Sequence, residues 1–285
     1  MAEAPAFERL LKRDRRVTLV GLAALCVLAW LYIVGGAELG MSARQMTTLA
    51  FFPHQQPQVA MEGMPDMRMG VSAGGWAAGG FATWALMIAM WWVMMVAMMT
   101  PSVAPTILLY ARVHRSALAR RPVRDEFAPT GAFALGYLFV WFGFAAGATA
   151  LHWALERLGL VSTMMMGSRS RWLSGAVLIA AGIYQLSPLK NLCLAHCRAP
   201  ASFLSRYWRP HALGALRLGA RHGAYCVGCC WMLMALLFVG GVMNLVWIAA
   251  LSIVVLIEKV LPRGQWVGRG IGVALVGWGV ATLVV

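Results

Sequence analysis

Charged residues are scarce in this chain, and that scarcity is the first constraint on its class. Asp, Glu, Lys and Arg make up 12% of the 285 residues, whereas soluble domains carry about a quarter. Hydrophobic residues make up 61%, and several apolar runs reach the roughly 18–20 residues that cross a bilayer. The composition excludes an ordinary soluble domain and predicts an all-α, polytopic transmembrane helix bundle.

Acidic residues are the rarest of the charged ones, with 10 Asp and Glu against 24 Lys and Arg and a net charge of +14. The basic residues fall in short blocks between apolar runs, as determinants of membrane topology do. No basic face interleaved with aromatic residues is visible, so nucleic acid is not expected as a partner. We expect a lipid bilayer to be the main partner, and the basic loop defined below offers a surface for a soluble or membrane protein partner.

The apolar runs predict seven spans within a single integral membrane domain, residues 1–285. Two long connections separate them: a Met-rich outer loop at 37–75 and a basic, cytoplasmic interfacial loop at 190–221, which is expected to hold one or two helices lying at the membrane surface. The predicted spans cover residues 17–36, 76–101, 128–150, 172–189, 222–242, 245–261 and 266–285.

The distribution of basic residues predicts the orientation of this bundle. On the seven-span arrangement, the N-terminus and three loops carry 19 of the 24 Lys and Arg residues, and the opposite side carries the other 5. The positive-inside rule then places the N-terminus in the cytoplasm and the C-terminus outside.

Cysteine is also rare, with six residues, but five of them are clustered. Cys226, Cys229 and Cys230 share one face of a helix, and so do Cys193 and Cys197. His196 lies beside the second pair, and we count it with the five cysteines as a candidate metal ligand. Pro188 should bend the chain before Cys193 and swing the first pair over the second group. Both groups are predicted at the cytoplasmic ends of spans, where a disulfide is disfavoured.

Four or five thiolates on two facing helix ends would suit copper(I), zinc or an iron–sulfur centre. The alternative is that these cysteines only pack as small apolar residues. Cys26 stands alone in the first span and is expected to pack. His211 and His222 are expected to be exposed or structural, and Glu258 and Lys259 lie where charged side chains can snorkel to the interface.

Methionine is abundant, with 19 residues. Thioethers bind Cu(I) without losing a proton, so the exposed outer loop is a candidate capture site. In the second span, four methionines fall on one face at about 100° per residue, although such a stripe is often ordinary packing. The candidate methionine ligands are Met61, Met64, Met67 and Met69 in the loop and Met87, Met90, Met94 and Met98 in the span.

Three blocks carry a family resemblance: 94–101, 184–198 and 226–234. Together they resemble a bacterial family of predicted metal-binding integral membrane proteins, over about residues 84–265. The resemblance implies a bound metal at the cysteine positions and no particular reaction. The Met-rich outer loop is not part of it.

These patterns favour a soft-metal protein, with copper(I) as the metal, that acts in transport or delivery. Outer thioethers would capture the ion, the second-span stripe would pass it, and the inner thiolates would hold it or give it to a partner enzyme. A membrane metalloenzyme or electron-transfer subunit with a Cys-ligated metal centre is a second hypothesis. Against it, the sequence shows no strong carboxylate–histidine constellation and no C-x-x-C-H haem motif. A structural subunit whose thiols only pack is the third.

Overall fold

The computed structural model describes residues 4–35, 47, 80–118, 128–162, 166–208 and 211–285. Over these residues the chain is all-helical, as predicted, and its one β-type contact is an isolated bridge between Val161 and Ser168. Ten helices follow in order: α1 Ala4–Val34, α2 Phe81–Leu118, α3 Ala128–Arg157, α4 Arg171–Leu186, α5 Pro188–Arg198, α6 Pro200–Tyr207, α7 Ala212–Ala235, α8 Leu237–Gly240, α9 Leu245–Val260 and α10 Gly264–Val284.

Five helical stretches of the described chain are long and apolar enough to cross a membrane. They correspond to α1, α2, α3, α7 with α8, and α10, and a sixth is formed if α4 and α5 count as one span bent by 62°. The helices α4 and α9 have 16 residues each, which is about 24 Å at 1.5 Å per residue and short of about 30 Å of hydrocarbon. The number of seven spans therefore stays a prediction.

Two pairs of helices pack closely through glycine. A Cβ on Gly136 of α3 would lie 2.0 Å from the carbonyl oxygen of Leu216 in α7, and one on Gly219 of α7 would lie 1.9 Å from that of Phe133. Gly182 of α4 and Gly272 of α10 meet in the same way. Small residues let helix backbones approach at interfaces where apolar surface alone gives little driving force.

The helix α2 lies between α1, α3 and α9, and it continues through Pro101 and Pro105 to Leu118. The helix therefore extends beyond residue 101, where the predicted second span ends. Pro101 has no N–H to donate to the carbonyl of Ala97, and the Cys26 thiol donates to that carbonyl at 3.8 Å. The lone cysteine of α1 thus supplies a partner that proline removes.

Two helix boundaries differ from the predicted spans. The helix α3 runs to Arg157, beyond the predicted end at residue 150, because His152 and Glu156 are buried rather than in a loop. The helix α7 begins at Ala212, ten residues before the predicted span. The first half of this helix carries basic residues at the surface. One of them, Arg221, places its guanidinium 3.8 Å from the Tyr207 ring centroid.

Candidate metal centre

The bend between α4 and α5 brings the two groups of cysteines together. Pro188 begins α5, and the Ser187 hydroxyl accepts a hydrogen bond from the Lys190 N–H at 3.2 Å, which caps the new helix. The helix α5 then packs on α7, where a Cβ on Gly228 would lie 2.9 Å from the Cys193 Sγ. The bend expected at Pro188 is confirmed, and so is the approach of the first cysteine pair to the second group.

Four thiols form a buried cluster, which we call the thiol cluster and which consists of Cys197, Cys226, Cys229 and Cys230. Cys197 interacts with Cys226 and Cys229. The thiols of Cys229 and Cys230 donate to the Cys226 carbonyl at 3.1 and 2.9 Å. None of the four forms a disulfide bond, and Cys193 lies half-buried at the edge of the cluster.

A buried ammonium group points at this cluster. Lys259, at the end of α9, donates to the Cys226 Sγ at 2.9 Å and to the Ser102 Oγ of α2 at 3.2 Å. The Tyr137 hydroxyl of α3 lies 3.1 Å from the same sulfur. The Cys226 sulfur is thus in contact with polar groups of α9 and α3, and Ser102 of α2 holds the ammonium beside it. Lys259 does not snorkel, because its side chain is only 8% exposed.

The charge of Lys259 has no carboxylate partner among the residues that the structure describes. Burial of an unpaired ammonium is costly, whereas a thiolate at Cys226 would form an ion pair with it. The arrangement therefore favours negative charge on the sulfurs. Thiolate sulfur is the donor type that selects Cu(I), so the donor set fits a soft cation.

The cluster is not arranged as a closed coordination site. In the described ranges, no three His, Cys, Asp or Glu side chains converge in a way that could hold a metal ion. Cys229 and Cys230 turn to the backbone carbonyl of their own helix instead. A change of side-chain rotamer at these two residues is needed before several sulfurs can face one ion.

A second buried polar network lies on the other side of α9. The Lys190 ammonium forms an ion pair with both Glu258 oxygens at 2.7 Å, and the Gln185 amide donates to Glu258 at 2.6 Å and to the Gly268 carbonyl at 3.4 Å. These contacts join α4, α5, α9 and α10. They hold in place the helix that carries Cys193 and Cys197, and they give Gln185 the partners that its burial requires.

The predicted methionine stripe of α2 lies inside the bundle. Met87, Met90, Met94 and Met98 are each at most 4% exposed. On an α-helix these residues and Ser102 fall within an arc of about 120°, and Ser102 contacts Lys259. The stripe therefore leads along α2 toward the thiol cluster. The loop residues Met61, Met64, Met67 and Met69 lie outside the described residues.

The histidines beside the cysteines take structural positions. His196 is on the exposed side of α5, where its Nδ1 lies 2.9 Å from the Leu192 carbonyl and its ring stacks on Tyr225 at 4.1 Å. His222 is buried against Phe133 and Tyr137, and His211 is exposed before α7. Metal ligation by His196 stays a prediction.

Sequence reasoning missed Lys259 and Tyr137 as neighbours of Cys226, and Ser102 as the second hydrogen-bond partner of Lys259. The contact between Lys259 and Cys226 could have been predicted by counting residues from the turn between α8 and α9. Cys226 precedes Gly240 by as many residues as Lys259 follows Leu245, so antiparallel helices place the two side by side. The same count puts Cys226 midway along the apolar stretch 212–240, away from the helix end where the sequence had placed it.

The fold and the site together define a class: an all-helical protein with several bilayer-length helices and a buried thiol cluster that faces an ammonium group. A family model described as "PpoB2: Copper chaperone" matches residues 88–282. The chain belongs to this copper chaperone family. No curated protein and no solved structure matches the chain.

Proposed function

We propose that this protein is an integral membrane copper(I) chaperone that holds its cargo on the thiol cluster and gives it to a partner. Membership of a copper chaperone family supports the metal. The single observation that carries the site is the Lys259 ammonium, 2.9 Å from the Cys226 sulfur. Copper(I) is the cargo of this site and not a resident cofactor.

The electrostatics of the site suit a monovalent ion. Two thiolates around Cu(I) leave one net negative charge, and the buried ammonium of Lys259 neutralises it. A divalent ion with the same two thiolates would leave no charge for Lys259 to balance. The site should therefore favour Cu(I) over Zn(II) on charge as well as on the softness of its donors.

The surface of the bundle supports placement in a membrane. Large apolar side chains face outward on the long helices, among them Val20 and Leu28 of α1, Phe139 of α3 and Val273 of α10, each more than 60% exposed. A soluble protein rarely exposes apolar patches of this extent. We propose a bacterial inner-membrane protein with its N-terminus in the cytoplasm, on the distribution of basic residues.

The methionine stripe of α2 is proposed as the route by which Cu(I) reaches the thiol cluster. Its neutral thioethers are weaker ligands than thiolates beside an ammonium, so the ion should move toward the cysteines. The Met-rich outer loop, with Met61, Met64, Met67 and Met69, is the proposed capture segment.

The experiment is an equilibrium Cu(I) titration of the purified full-length protein against a chromogenic Cu(I) chelator. Substitution Cys226→Ser should lower the affinity at least tenfold, because the ligand nearest Lys259 is lost. Cys26→Ser is the matched control: it also removes a thiol from a helix, but that thiol lies in α1, outside the thiol cluster, and donates to the Ala97 carbonyl. Equal affinities in Cys226→Ser and Cys26→Ser would contradict the proposed site.

A further inference from the structure

A small pocket lies at the opposite end of the α2 stripe from the thiol cluster. Its lining comes from the first turns of α2 and the last turns of α3 and consists of Thr83, Trp84, Met87, Thr149, His152, Trp153 and Glu156. Met87 is the first methionine of the stripe, about 22 Å along the helix axis from Ser102 at 1.5 Å per residue.

His152 is the unexplained residue of this pocket. Its ring is fully buried, and neither ring nitrogen has a hydrogen-bond partner. Buried imidazole nitrogens are normally hydrogen-bonded, so an exception calls for a ligand or a functional reason. The ring packs on Phe238 of α8, with centroids 5.8 Å apart, and this contact holds the imidazole without satisfying either nitrogen.

Two further groups on the same pocket complement His152. Glu156 lies one turn later on α3 and on the same helix face, and its side chain is only 9% exposed. Met87 supplies a thioether from α2. An imidazole nitrogen, a thioether sulfur and a nearby carboxylate form a donor set for copper, in which the thioether favours the monovalent ion.

We propose that His152, Met87 and Glu156 form an entry site for Cu(I), with nitrogen and sulfur as ligands and the carboxylate offsetting the charge of the ion. This inference rests on the proposed function, because it makes the pocket the upstream station of the same route. The site has only two residues of the His, Cys, Asp and Glu type, and it is distinct from the thiol cluster. Trp84 and Trp153, with ring centroids 5.7 Å apart, wall the pocket.

The position of the pocket also fits an entry role. Met87 opens the stripe that leads through Met90, Met94 and Met98 to the neighbourhood of Lys259. On the proposed orientation, this end of α2 and α3 faces outside, next to the Met-rich loop in sequence. Imidazole and thioether are neutral ligands, so this site would bind Cu(I) less tightly than the thiolates of the thiol cluster and would release it inward.

The test uses full-length protein in which Cys197, Cys226, Cys229 and Cys230 are replaced by serine, so that Cu(I) bound elsewhere is measured directly. Cu(I) is titrated against a chromogenic Cu(I) chelator. We expect this background to keep a bound Cu(I) equivalent that is lost with His152→Phe and weakened at least tenfold with Met87→Leu. His114→Phe is the matched control, since His114 is also buried but lies near the far end of α2.

Unchanged Cu(I) binding in His152→Phe, or equal losses in His152→Phe and His114→Phe, would overturn the entry site. If the serine background does not fold, the same substitutions are made in the protein with its native cysteines. There His152→Phe should lower the Cu(I) stoichiometry by one equivalent, and an unchanged stoichiometry would overturn the proposal. The thiol cluster is tested separately, by comparing wild type with the serine background. If wild type binds no more Cu(I) than the serine background, the thiol cluster is not a Cu(I) site, and the result for the pocket is unaffected.

Discussion

Lys259 shows how one residue can set the chemistry of a buried site. The ammonium donates hydrogen bonds to the Cys226 sulfur and to the Ser102 hydroxyl. A charged lysine at this depth is destabilising unless a negative charge faces it. The residue is therefore better explained by a bound anionic copper–thiolate group than by the stability of the empty fold.

This explanation predicts opposite effects of Lys259→Met on stability and on binding. Without copper, the melting temperature should stay the same or rise, because the Cys226 thiol can keep its proton once the ammonium is gone, so that no unpaired charge remains buried. The affinity for Cu(I) should fall about tenfold or more, since a charge-assisted hydrogen bond of about 1.5–3 kcal/mol is lost. Thermal unfolding in detergent and Cu(I) titration measure the two effects.

Ser102→Ala serves as the comparison for Lys259→Met. It removes the other hydrogen-bond partner of the same ammonium and leaves the charge in place, so the Cu(I) affinity should change much less. A Lys259→Met protein that binds Cu(I) as tightly as wild type would show that the ammonium plays no part in binding.

Among the elements, α5 depends on a buried ion pair for its position. Lys190 at its start is 1% exposed and pairs with Glu258 of α9. Removal of one partner leaves the other charge buried without compensation, which typically costs about 3–5 kcal/mol.

Lys190→Met is therefore expected to destabilise the protein by about 3–5 kcal/mol and to make Cys197 more reactive toward a thiol reagent. The double variant Lys190→Met, Glu258→Leu should recover most of the stability, because both charges are gone. Unfolding in denaturant compares the two. A double variant no more stable than the single one would mean that the network acts through its shape rather than its charge.

The contact between α3 and α7 depends on glycine. A Cβ on Gly219 of α7 would overlap the Phe133 carbonyl. A Cβ on Gly143 of α3 would meet nothing within 4 Å. Gly219→Val should therefore lower the melting temperature strongly or prevent folding, and Gly143→Val should have little effect. Similar melting temperatures for the two variants would show that the helices separate without cost.

The elements could be predicted from sequence to the extent that they depend on local pattern. The apolar runs predicted helices near α1, α2, α3, α4, α7, α9 and α10, and Pro188 predicted the bend that brings Cys193 to α7. The predicted end of α3 and the predicted start of α7 were wrong. The burial of His152 and the contact of Arg221 with Tyr207 both depend on other helices. Local hydropathy does not contain that information.

The site was predictable in its cysteines and not in its surroundings. Helical spacing identified the facing thiols, while Lys259, Tyr137 and Ser102 belong to helices whose register is set by tertiary packing. The pocket at His152 was missed for a related reason, since an early end for α3 placed this residue in a loop.

For the whole molecule, the orientation is the prediction with the widest consequences. The N-terminus should be cytoplasmic and the C-terminus outside, which requires an odd number of spans and so agrees with five or seven but not with six. Fusion of alkaline phosphatase to the C-terminus should give active enzyme, and fusion of a fluorescent protein that folds only in the cytoplasm should not fluoresce there. The reverse pattern would contradict the proposed direction of copper movement.

The central claim is that the thiol cluster binds copper as Cu(I) through sulfur, and X-ray absorption at the copper edge of the loaded protein tests it most directly. We predict a monovalent edge and a first shell dominated by sulfur. That shell should be retained in Cys26→Ser and replaced by lighter atoms or lost when Cys197, Cys226, Cys229 and Cys230 are serine. A first shell without sulfur in the wild type, or one that the four serines leave unchanged, would contradict the account.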